Sequence, residues 1–443
     1  MRRVFAHREA AIVIVGLGLA IRLLLLVLVG STPLLGDPAS YNEMAQSYLH
    51  GPLNPLWAPG LPLYLAFIHR LGGSTPLILR CAMLPFYLGV CLFAYRAALL
   101  LGRSRMAANL TLLVLAISPA CVLASVEPMT ELPAAMCLLL LACILLPLSA
   151  RKHLPVAPAL VAGVAIGYMA LLRPSALVLL AAVPLYLLWR RTKLRAPVYL
   201  LLSGVLIVGG WVAYVHVQTG YYRINTGNSK NLFYGNNPRT PLYRTWWLAS
   251  HKQLGQWDTP PESAAAQVAR EAEFTGMAKT YIAQHPGLFL LRTLNRVCTF
   301  FSFNAFAGSW FLQNYAFPRA VVLLISALDA ALYILIAAAS ILYVGTLRYP
   351  SLASRQTLVM VALILLYAVP YFVAFAHPRM HFPIEPLLAV MFSALAASRL
   401  RGTDADWSNR LHRRGWALAV LLAGFTCIQL EFFILAGLRG LRG

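Results

Sequence analysis

Charged residues are the scarcest feature of this chain. Only 11% of its 443 residues are Asp, Glu, Lys or Arg, whereas 60% are hydrophobic. An average soluble domain has about 25% charged residues, so a soluble globular protein is excluded. At roughly 20 apolar residues per membrane-spanning helix, the composition supplies at most about thirteen spans. We therefore expect an all-α polytopic membrane protein, with the lipid bilayer as its surroundings.

Acidic residues are fewer still, with 14 Asp and Glu against 36 Lys and Arg, which gives a net charge of +22. In a soluble protein this excess would suggest a nucleic-acid partner. Here many basic residues lie in short runs between apolar segments, where the positive-inside bias places them. The sequence therefore predicts no binding to nucleic acid.

The cysteines form no recognisable framework. Six of the seven fall inside apolar runs, and no CxxC pair occurs, so neither a disulfide scaffold nor a zinc site is indicated. Met1-Arg2-Arg3 precedes an apolar stretch of about 20 residues that carries Arg22 and lacks an A-x-A cleavage site. We interpret this stretch as an uncleaved first span whose N-terminus is cytoplasmic.

Apolar runs between basic residues predict about eleven spans. The segment from Val156 to Trp189 could form one long helix or two short helices that meet at Arg173. Two helices are favoured, because they return the basic cluster at 190–195 to the side of the other basic loops. The predicted spans lie near 10–30, 77–101, 106–124, 129–149, 156–172, 174–189, 196–216, 319–346, 356–376, 382–398 and 415–437.

Two longer regions, 31–76 and 217–318, separate these spans and are predicted to be external. The chain divides accordingly into an N-terminal transmembrane core (1–216, with the first external loop at 31–76), a large external loop region (217–318) and C-terminal transmembrane helices (319–443). No internal repeat is evident.

Both external regions carry helical patterns. In the first, Asp37-Pro38 begins a segment with Tyr41, Met44 and Tyr48 at helical spacing, which is typical of an amphipathic helix in the membrane interface. In the second, residues 262–284 are Ala-rich with mixed charges and predict one surface helix ending before His285-Pro286.

Four acidic residues map to the external rim before residue 150: Asp37, Glu43, Glu127 and Glu131. Carboxylates that converge there would form a polar site bounded by lipid, and one of them could act as a general base. Simpler roles compete. Asp followed by Pro is a usual helix start, so Asp37 could be only a cap. Glu127 and Glu131 could be only partners of a helix dipole.

Arginines supply the opposite charge on the same side. Arg173 lies at the predicted hairpin tip, Arg379 lies in His377-Pro378-Arg379 between late spans, and Arg80 lies just inside a span. Such arginines either extend to lipid headgroups or bind phosphate through the guanidinium fork. His377 and His381 are four residues apart without an evident acidic partner, so no metal site is indicated. Asn236 and Asn237 belong to a turn by composition.

The order of several short motifs resembles the polyprenyl-phosphate-dependent GT-C glycosyltransferases, which include protein O-mannosyltransferases and bacterial aminoarabinose transferases. The resemblance covers most of the chain. It departs from the family at Ala58-Pro59, where a proline pair is usual, and at Asp37-Pro38, where two adjacent acids are frequent. The matching motifs are Arg22, Asp37-x-x-x-Tyr41-x-x-x-Ala45, Gly51, Ala58-Pro59-Gly60-Leu61-Pro62-Leu63, Arg80, Met129-Thr130-Glu131, Gly163-x-x-x-Gly167, Leu172-Arg173-Pro174, Gly235-Asn236-Asn237-Pro238, His285-Pro286, His377-Pro378-Arg379 and Pro383-Ile384-Glu385-Pro386.

The resemblance implies a GT-C fold and inverting transfer of a sugar from a polyprenyl-phosphate donor to a lipid, glycan or protein acceptor. It further implies a bacterial inner membrane protein with a periplasmic active site and no required metal. Asp37 would be the catalytic base. Arg80, Arg173, Arg379 and Lys230 would stabilise the departing phosphate, and Glu131 and Glu127 would orient the sugar or the acceptor. The motifs add Tyr41, Asn236, Asn237 and His377 as substrate contacts.

Two other classes of function stay open from the sequence. A transporter or flippase of polyprenyl-linked sugars or lipids would also have many spans, but it predicts inverted repeats and ionisable residues along a path through the bilayer. A non-catalytic subunit of an envelope assembly has no distinguishing motif. Asp329 lies near the middle of a predicted span, where it calls for a polar partner.

Overall fold

A computed structural model describes residues 7, 9–51, 53–151, 153–242, 263–349, 351–402 and 407–440. Every regular element among them is helical, as the composition predicts. Residues 243–262, in the middle of the large loop, lie outside this description. The α-helices are α1 Glu9–Val29, α2 Asp37–His50, α3 Gly60–Gly72, α4 Pro76–Cys81, α5 Leu84–Gly102, α6 Arg105–Ile117, α7 Pro119–Ala124, α8 Glu131–Leu145, α9 Val156–Leu172, α10 Leu177–Trp189, α11 Arg195–Thr219, α12 Asn228–Gly235, α13 Ala264–Gln284, α14 Pro286–Phe301, α15 Phe306–Tyr315, α16 Arg319–Gly345, α17 Leu352–Val373, α18 Glu385–Arg401 and α19 Trp407–Gly440.

Within the described residues, eight helical segments are long and apolar enough to cross a membrane. Three shorter apolar helices accompany them: Arg105–Ile117, Val156–Leu172 and Pro174–Trp189. A polytopic all-α membrane protein is therefore confirmed, whereas the count of about eleven spans stays a prediction. The eight segments are Glu9–Val29, Pro76–Gly102, Glu131–Ser149, Arg195–Thr219, Arg319–Gly345, Leu352–Val373, Pro378–Arg401 and Asn409–Ile434.

The ambiguous stretch before residue 190 forms two helices, α9 and α10, joined by a short 3-10 turn at Pro174–Ala176. Arg173 has an extended backbone between them. A residue before proline disfavours helical geometry, and this explains why α9 ends there. The hairpin predicted from the charge pattern is thus confirmed.

The predicted span at 106–124 is not one continuous helix, because the chain forms α6 and α7 with a break at Ser118-Pro119. Proline provides no amide proton for a continuous helix. The Asp329 carboxylate of α16 accepts a hydrogen bond from the Ala120 amide at 3.1 Å, in the first turn of α7. A buried carboxylate at a helix start satisfies free amides and complements the dipole. Asp329 therefore has a structural partner that the sequence did not reveal.

Close packing of α9 against α11 holds the first helix of the hairpin in place. A Cβ atom added at Gly163 of α9 would lie 2.1 Å from the Leu200 carbonyl oxygen of α11, and one added at Gly167 would lie 2.9 Å from the Gly204 carbonyl oxygen. Small residues four apart allow two membrane helices to approach at backbone distance. The Gly163-x-x-x-Gly167 motif therefore fixes α9 against α11, and with it the position of Arg173.

A buried arginine ties the first helix to the core. Arg22 of α1 is fully buried, and its guanidinium donates to the carbonyl oxygens of Gly18 and Leu115 at 2.8 and 3.1 Å. Its Cζ atom also lies 3.5 Å from the ring centroid of Tyr87. Carbonyl acceptors and the aromatic face compensate for removing the charge from water. Arg22 therefore holds α1 onto α5 and α6.

The surface helices begin close to where the sequence predicts. The predicted helix at 262–284 is α13, which starts after Ser263, whose side chain caps the Ala266 amide at 3.2 Å, and ends before His285-Pro286. The predicted interfacial helix is α2, which begins at Asp37. These two helices belong to the regions that surround the candidate site.

Candidate active site

Asp37 does not cap the helix that it starts. The N-cap position of α2 is Gly36, with φ of 59°, and no side-chain hydrogen bond caps this terminus. That positive φ suits glycine, so the chain can turn sharply and begin the helix at Asp37-Pro38. The Asp37 carboxylate instead forms an ion pair with the guanidinium of Arg379. The capping role considered from the sequence is therefore not the one that the structure contains.

Glu131 links two arginines. Its carboxylate oxygen Oε1 lies 2.8 Å from Arg173 Nη2 and 3.6 Å from Arg379 Nε, and the residue is only 5% exposed. Together Asp37, Glu131, Arg173 and Arg379 form a group of alternating charges, which we call the carboxylate–arginine cluster. Two carboxylates and two guanidinium groups give the cluster no net formal charge. A buried group of this kind is stable only when each charge has a partner.

Four separate segments supply the cluster. Asp37 comes from the start of α2, Glu131 from the first turn of α8 and Arg173 from the α9–α10 turn. Arg379 comes from the 3-10 helix Pro378–Ile384 that precedes α18. All four therefore lie where helices begin or end, at one end of the helical bundle. The sequence placed these residues on one side of the membrane, and the structure brings them into contact.

Tyrosines extend the cluster on the side of Arg173. Tyr371 of α17 accepts a hydrogen bond from Arg173 Nη1 and one from Ser175 Oγ, both at 3.2 Å, and its hydroxyl donates to that of Tyr367 at 3.2 Å. Sequence reasoning missed Tyr367 and Tyr371. The available signal was their spacing of four residues, which puts two hydroxyls on one face at the end of an apolar helix.

Electrostatics favour an ionised Asp37. The Arg379 guanidinium holds the pKa of Asp37 below its ordinary value of 3.8, against an opposing effect of burial, and Arg173 lowers it further. The side chain of Asp37 is 37% exposed, so water still reaches the carboxylate. Burial raises the pKa of Tyr41, one turn later on α2, and the charges of Asp37 and Glu131 add to the effect. Tyr41 therefore keeps its hydroxyl proton beside an ionised acid.

His377 is a neutral part of the site. Burial lowers its pKa to about 3, with Arg379 as the next cause. Its Nδ1 atom accepts a hydrogen bond from the Arg379 amide at 3.1 Å, which begins the 3-10 helix that carries the arginine. His377 thus orients the segment of Arg379, and a substrate contact by this residue stays a prediction.

An aromatic wall lies on the other side of the cluster. Phe306 of α15 lies under the Arg379 guanidinium, whose Cζ atom is 4.9 Å from the ring centroid. The ring centroid of Trp310, one turn later on α15, lies 5.4 Å from that of Phe306. A small cleft next to Glu131 and Arg379 is lined by Met129, Asn304, Phe306 and Phe382. The charged cluster therefore borders a mostly apolar surface.

Arg80 and Glu127 form a separate, fully buried pair. Arg80 Nε lies 2.8 Å from Glu127 Oε1, and the side chains are 1% and 0% exposed. Arg80 also donates to the carbonyl oxygens of Gly30 and Thr32 at 3.0 and 2.6 Å, and the Tyr315 hydroxyl donates to Glu127. The pair fixes the chain where it leaves α1 toward Asp37. A direct substrate contact by Arg80 or Glu127 stays a prediction.

Asn236 and Asn237 are buried at the end of α12, and their side-chain amides donate hydrogen bonds to backbone carbonyl oxygens. Asn236 Nδ2 donates to the Leu232 carbonyl at 2.9 Å, and its oxygen accepts from Arg296 Nη2 at 2.8 Å. Asn237 Nδ2 donates to the Phe233 carbonyl at 2.8 Å. These amides shape the loop rather than line the carboxylate–arginine cluster. Lys230 lies one helical turn before Tyr234 on α12, and its Nζ atom is 5.1 Å from the ring centroid of that tyrosine.

The two histidines have different partners. His381 is buried, with Nδ1 2.7 Å from the Phe300 carbonyl and Nε2 3.2 Å from Glu385. Among the described residues, no three or more His, Cys, Asp or Glu side chains converge closely enough to hold a metal ion.

Two solved structures are similar to this chain over most of its length. The oligosaccharyltransferase of Archaeoglobus fulgidus, in complex with Zn and sulfate, has a TM-score of 0.46 and 12% identity, with 94% of this chain and 51% of that chain covered. ArnT from Cupriavidus metallidurans, in the apo state, has a TM-score of 0.36 and 13% identity, with 87% and 76% covered. Both are GT-C glycosyltransferases, the family that the sequence resembles.

This chain spans about half the length of the oligosaccharyltransferase that it matches. No protein-family model matches it, and no curated protein matches it. The side chains of the carboxylate–arginine cluster, and not these similarities, therefore indicate what chemistry the protein can perform.

Proposed function

We propose that this protein is an inverting glycosyltransferase, which moves a sugar from a polyprenyl-phosphate donor to a hydroxyl of a lipid, glycan or protein acceptor at the external face of the membrane. The observation that carries the proposal is the pairing of Asp37 with Arg379. It combines an ionised, water-accessible carboxylate with a guanidinium at a membrane-embedded site. One group can accept a proton and the other can bind a phosphate.

The chemistry follows from these two groups. The acceptor oxygen attacks the anomeric carbon as its proton passes to Asp37, and the bond from that carbon to the phosphate oxygen breaks with its electron pair. The leaving group is a lipid phosphate, on which negative charge grows in the transition state. Arg173 and Arg379 stabilise this charge. A single displacement of this kind inverts the anomeric configuration.

Donor binding also improves the base. In the free protein Arg379 lowers the pKa of Asp37, and this weakens the carboxylate as a proton acceptor. A donor phosphate competes for the same guanidinium. When Arg379 turns toward the phosphate, the pKa of Asp37 rises toward its ordinary value, so the base is strengthened only when the donor is bound.

A buried hydrogen-bond donor of Arg173 supports the binding of a phosphate at the carboxylate–arginine cluster. Nε of Arg173 is buried and has no hydrogen-bond partner within the described part of the chain. Buried polar atoms in native proteins nearly always have partners, so such an atom beside a site suggests a ligand oxygen. The apolar side chains of Phe306 and Phe382 lie next to the cluster.

The other predicted site residues have supporting roles in this proposal. Glu131 holds both arginines at their positions and can orient a sugar hydroxyl with its remaining oxygen. Tyr41 can donate its hydroxyl proton to the acceptor or the sugar. Arg80 with Glu127, and Asn236 with Asn237, hold the two external loops around the cluster.

The alternative is a transporter or flippase of lipid-linked sugars. Such a protein needs ionisable groups along a path through the bilayer. Here Asp329 is bound to the Ala120 amide and Glu385 lies against His381, so both have partners inside the packed bundle. No observation favours the transport function.

The orientation completes the proposal. The basic residues at 190–195 follow α10 at the end opposite to Arg173. If these residues are cytoplasmic, the N-terminus is cytoplasmic and the cluster faces the periplasm of a bacterial inner membrane.

A reconstituted reaction tests the function. The purified protein in nanodiscs is incubated with a radiolabelled polyprenyl-phosphate sugar and with membranes of the source organism as acceptor. We expect labelled product and free polyprenyl phosphate in equal amounts. The same protein in proteoliposomes should not move intact donor between leaflets. Movement of intact donor without bond cleavage would instead establish the transporter.

A further inference from the structure

A cavity lies between membrane helices, far from the carboxylate–arginine cluster. It has a volume of about 300 Å³ and opens between α10 and α17, with the end of α8 and the 3-10 helix Leu146–Ser149 behind it. That volume is at the lower end of the range for ligand pockets. Most of its lining is aliphatic, from residues such as Val183, Leu363 and Leu366.

One end of the cavity is polar. Arg190, Arg355 and Ser149 line it there, beside Tyr186 and Trp189. Arg190 donates to the Leu148 carbonyl at 2.7 Å through Nη2. Its Nε atom and the Ser149 hydroxyl are both buried without a hydrogen-bond partner within the described part of the chain. Two unpartnered buried polar atoms beside two positive charges indicate an anionic, oxygen-rich ligand group.

This end is remote from the proposed donor phosphate. Arg173 precedes α10 and Arg190 follows it, so the 13 residues of α10 separate them by about 20 Å. Arg355 and Tyr371 stand at opposite ends of α17, about 24 Å apart by the same rise per residue. One phosphate cannot contact both ends. A donor tail could reach the cavity from the cluster, but it would leave both arginines without a negative partner.

The surroundings of the polar end suit a lipid headgroup. Trp189 is 75% exposed, and Leu185 and Leu188 are 64% and 47% exposed on the same helix. Exposed apolar residues followed by an aromatic residue and arginines are typical of a helix that passes from the hydrocarbon core to the membrane surface. The cavity therefore opens toward lipid at its sides and toward headgroups at its polar end.

We propose that the cavity between α10 and α17 binds one anionic glycerophospholipid of the leaflet opposite to the active site. The phosphate lies at Arg190 and Arg355, the ester oxygens reach the Ser149 hydroxyl, and an acyl chain fills the apolar cavity. This binding site is independent of glycosyl transfer, since neither the donor nor its turnover enters the argument.

Native mass spectrometry of the full-length protein tests the proposal, with phosphatidylglycerol and phosphatidylcholine as the added lipids. We expect one phosphatidylglycerol to bind at least about tenfold more tightly than phosphatidylcholine, the lower end of what a charged hydrogen bond contributes. Arg355 is exposed, so Arg355→Gln should fold normally and abolish most of this preference. Arg348→Gln is the matched control, because Arg348 is exposed nearby and lies outside the cavity lining.

A second variant fills the cavity without removing charge. Ala362 lines it from α17, and Ala362→Trp should exclude the acyl chain and weaken phosphatidylglycerol binding at least about tenfold. Leu206→Trp, on the exposed side of α11, should have no effect. Equal affinity for the two lipids, or unchanged binding in both Arg355→Gln and Ala362→Trp, would contradict the proposal. Displacement of phosphatidylglycerol by excess polyprenyl phosphate would also overturn it, because the cavity would then belong to the donor tail.

Discussion

Asp37 and Arg379, which are 342 residues apart in the chain, form an ion pair at one end of the helical bundle. The pair joins the first loop of the protein to the turn before α18. It argues against the capping role of Asp37, since the carboxylate is bound to a guanidinium and not to the amides of its own helix, and the role of general base stays a prediction. Asp37, the proposed base, and Arg379, the proposed binding group for the phosphate, are thus in contact before any substrate binds.

Asp37→Asn should fold like the parent and lose nearly all transfer. Asn has the size of Asp, and Arg379 keeps Glu131 as an acidic partner at 3.6 Å, but Asn cannot accept a proton. Loss of a general base typically costs a factor of about 10²–10⁴ in rate. The measurement is turnover of radiolabelled donor by purified protein of equal thermal stability. Glu43→Gln is the matched control, because Glu43 is exposed on the same helix and should remain fully active. Near-parental turnover by Asp37→Asn would remove the base assignment.

Replacing Arg173 or Arg379 by Ala should weaken binding of polyprenyl phosphate by about 1.5–3 kcal/mol, the range for a hydrogen bond to a charged group. Lys should restore only part of the affinity, because it lacks the bidentate fork. Titration of the purified variants with polyprenyl phosphate gives the dissociation constants. Arg70→Ala serves as control, since Arg70 is exposed at the end of α3. Unchanged affinity in both variants would leave these arginines with a purely structural function.

The pH dependence should report the contact between Asp37 and Arg379. Because the folded-state pKa of Asp37 is lowered, the ion pair stabilises the protein above the ordinary pKa and is lost as the pH falls through the folded-state value. We therefore expect the transfer rate to show no acid limb from protonation of Asp37 between about pH 5 and 8, an interval above its ordinary pKa of 3.8. In Arg379→Gln the limb should move to higher pH, because burial then raises the pKa without opposition from that charge. Transfer rates measured from about pH 3.5 to 8, each divided by the maximum rate of the same protein, test this shift. An acid limb at the same pH in Arg379→Gln and in the parent would contradict it.

Glu127→Ala should lower the stability of the folded protein and leave the KM for the donor unchanged. It leaves the fully buried Arg80 without its carboxylate, and breaking a buried pair typically costs about 3–5 kcal/mol. The double variant Arg80→Met with Glu127→Leu should recover part of that loss, because no charge is left unpaired. Thermal unfolding in detergent measures stability, and donor KM measures the substrate complex. Normal stability with a raised KM in Glu127→Ala would return Glu127 to the substrate-binding role predicted from the sequence.

The topology can be tested with single cysteines in a chain whose seven native cysteines are replaced. Glu43 and Arg191 are exposed and lie near opposite ends of the bundle, on α2 and after α10. An impermeant maleimide on intact cells should label Glu43→Cys, and it should label Arg191→Cys only after permeabilisation. The reverse pattern would place the carboxylate–arginine cluster in the cytoplasm and exclude an external donor.

The Gly163-x-x-x-Gly167 motif and the Leu172-Arg173-Pro174 turn show why much of the fold was readable from the sequence. Helix formation, small-residue packing and a break before proline depend on neighbours within a few positions. The same holds for the start of α2 at Asp37-Pro38. The break at Ser118-Pro119 was missed, because it depends in part on Asp329, which lies 209 residues from Ala120.

The sequence by itself determined that this protein is a helical membrane protein, and it located the four residues of the cluster at the ends of predicted helices. Hydrophobicity and local backbone preferences suffice for that. Only the tertiary structure decided which acid faces which arginine: Glu131 with Arg173 and Arg379, Asp37 with Arg379, and Glu127 with Arg80. These partners come from different helices far apart in the chain, so the packing of those helices determines which charges meet. The same packing separated the cluster from the buried Arg80–Glu127 pair. It also placed Tyr371 against Arg173 and Tyr367 against Tyr371, and the sequence had assigned neither tyrosine to the site.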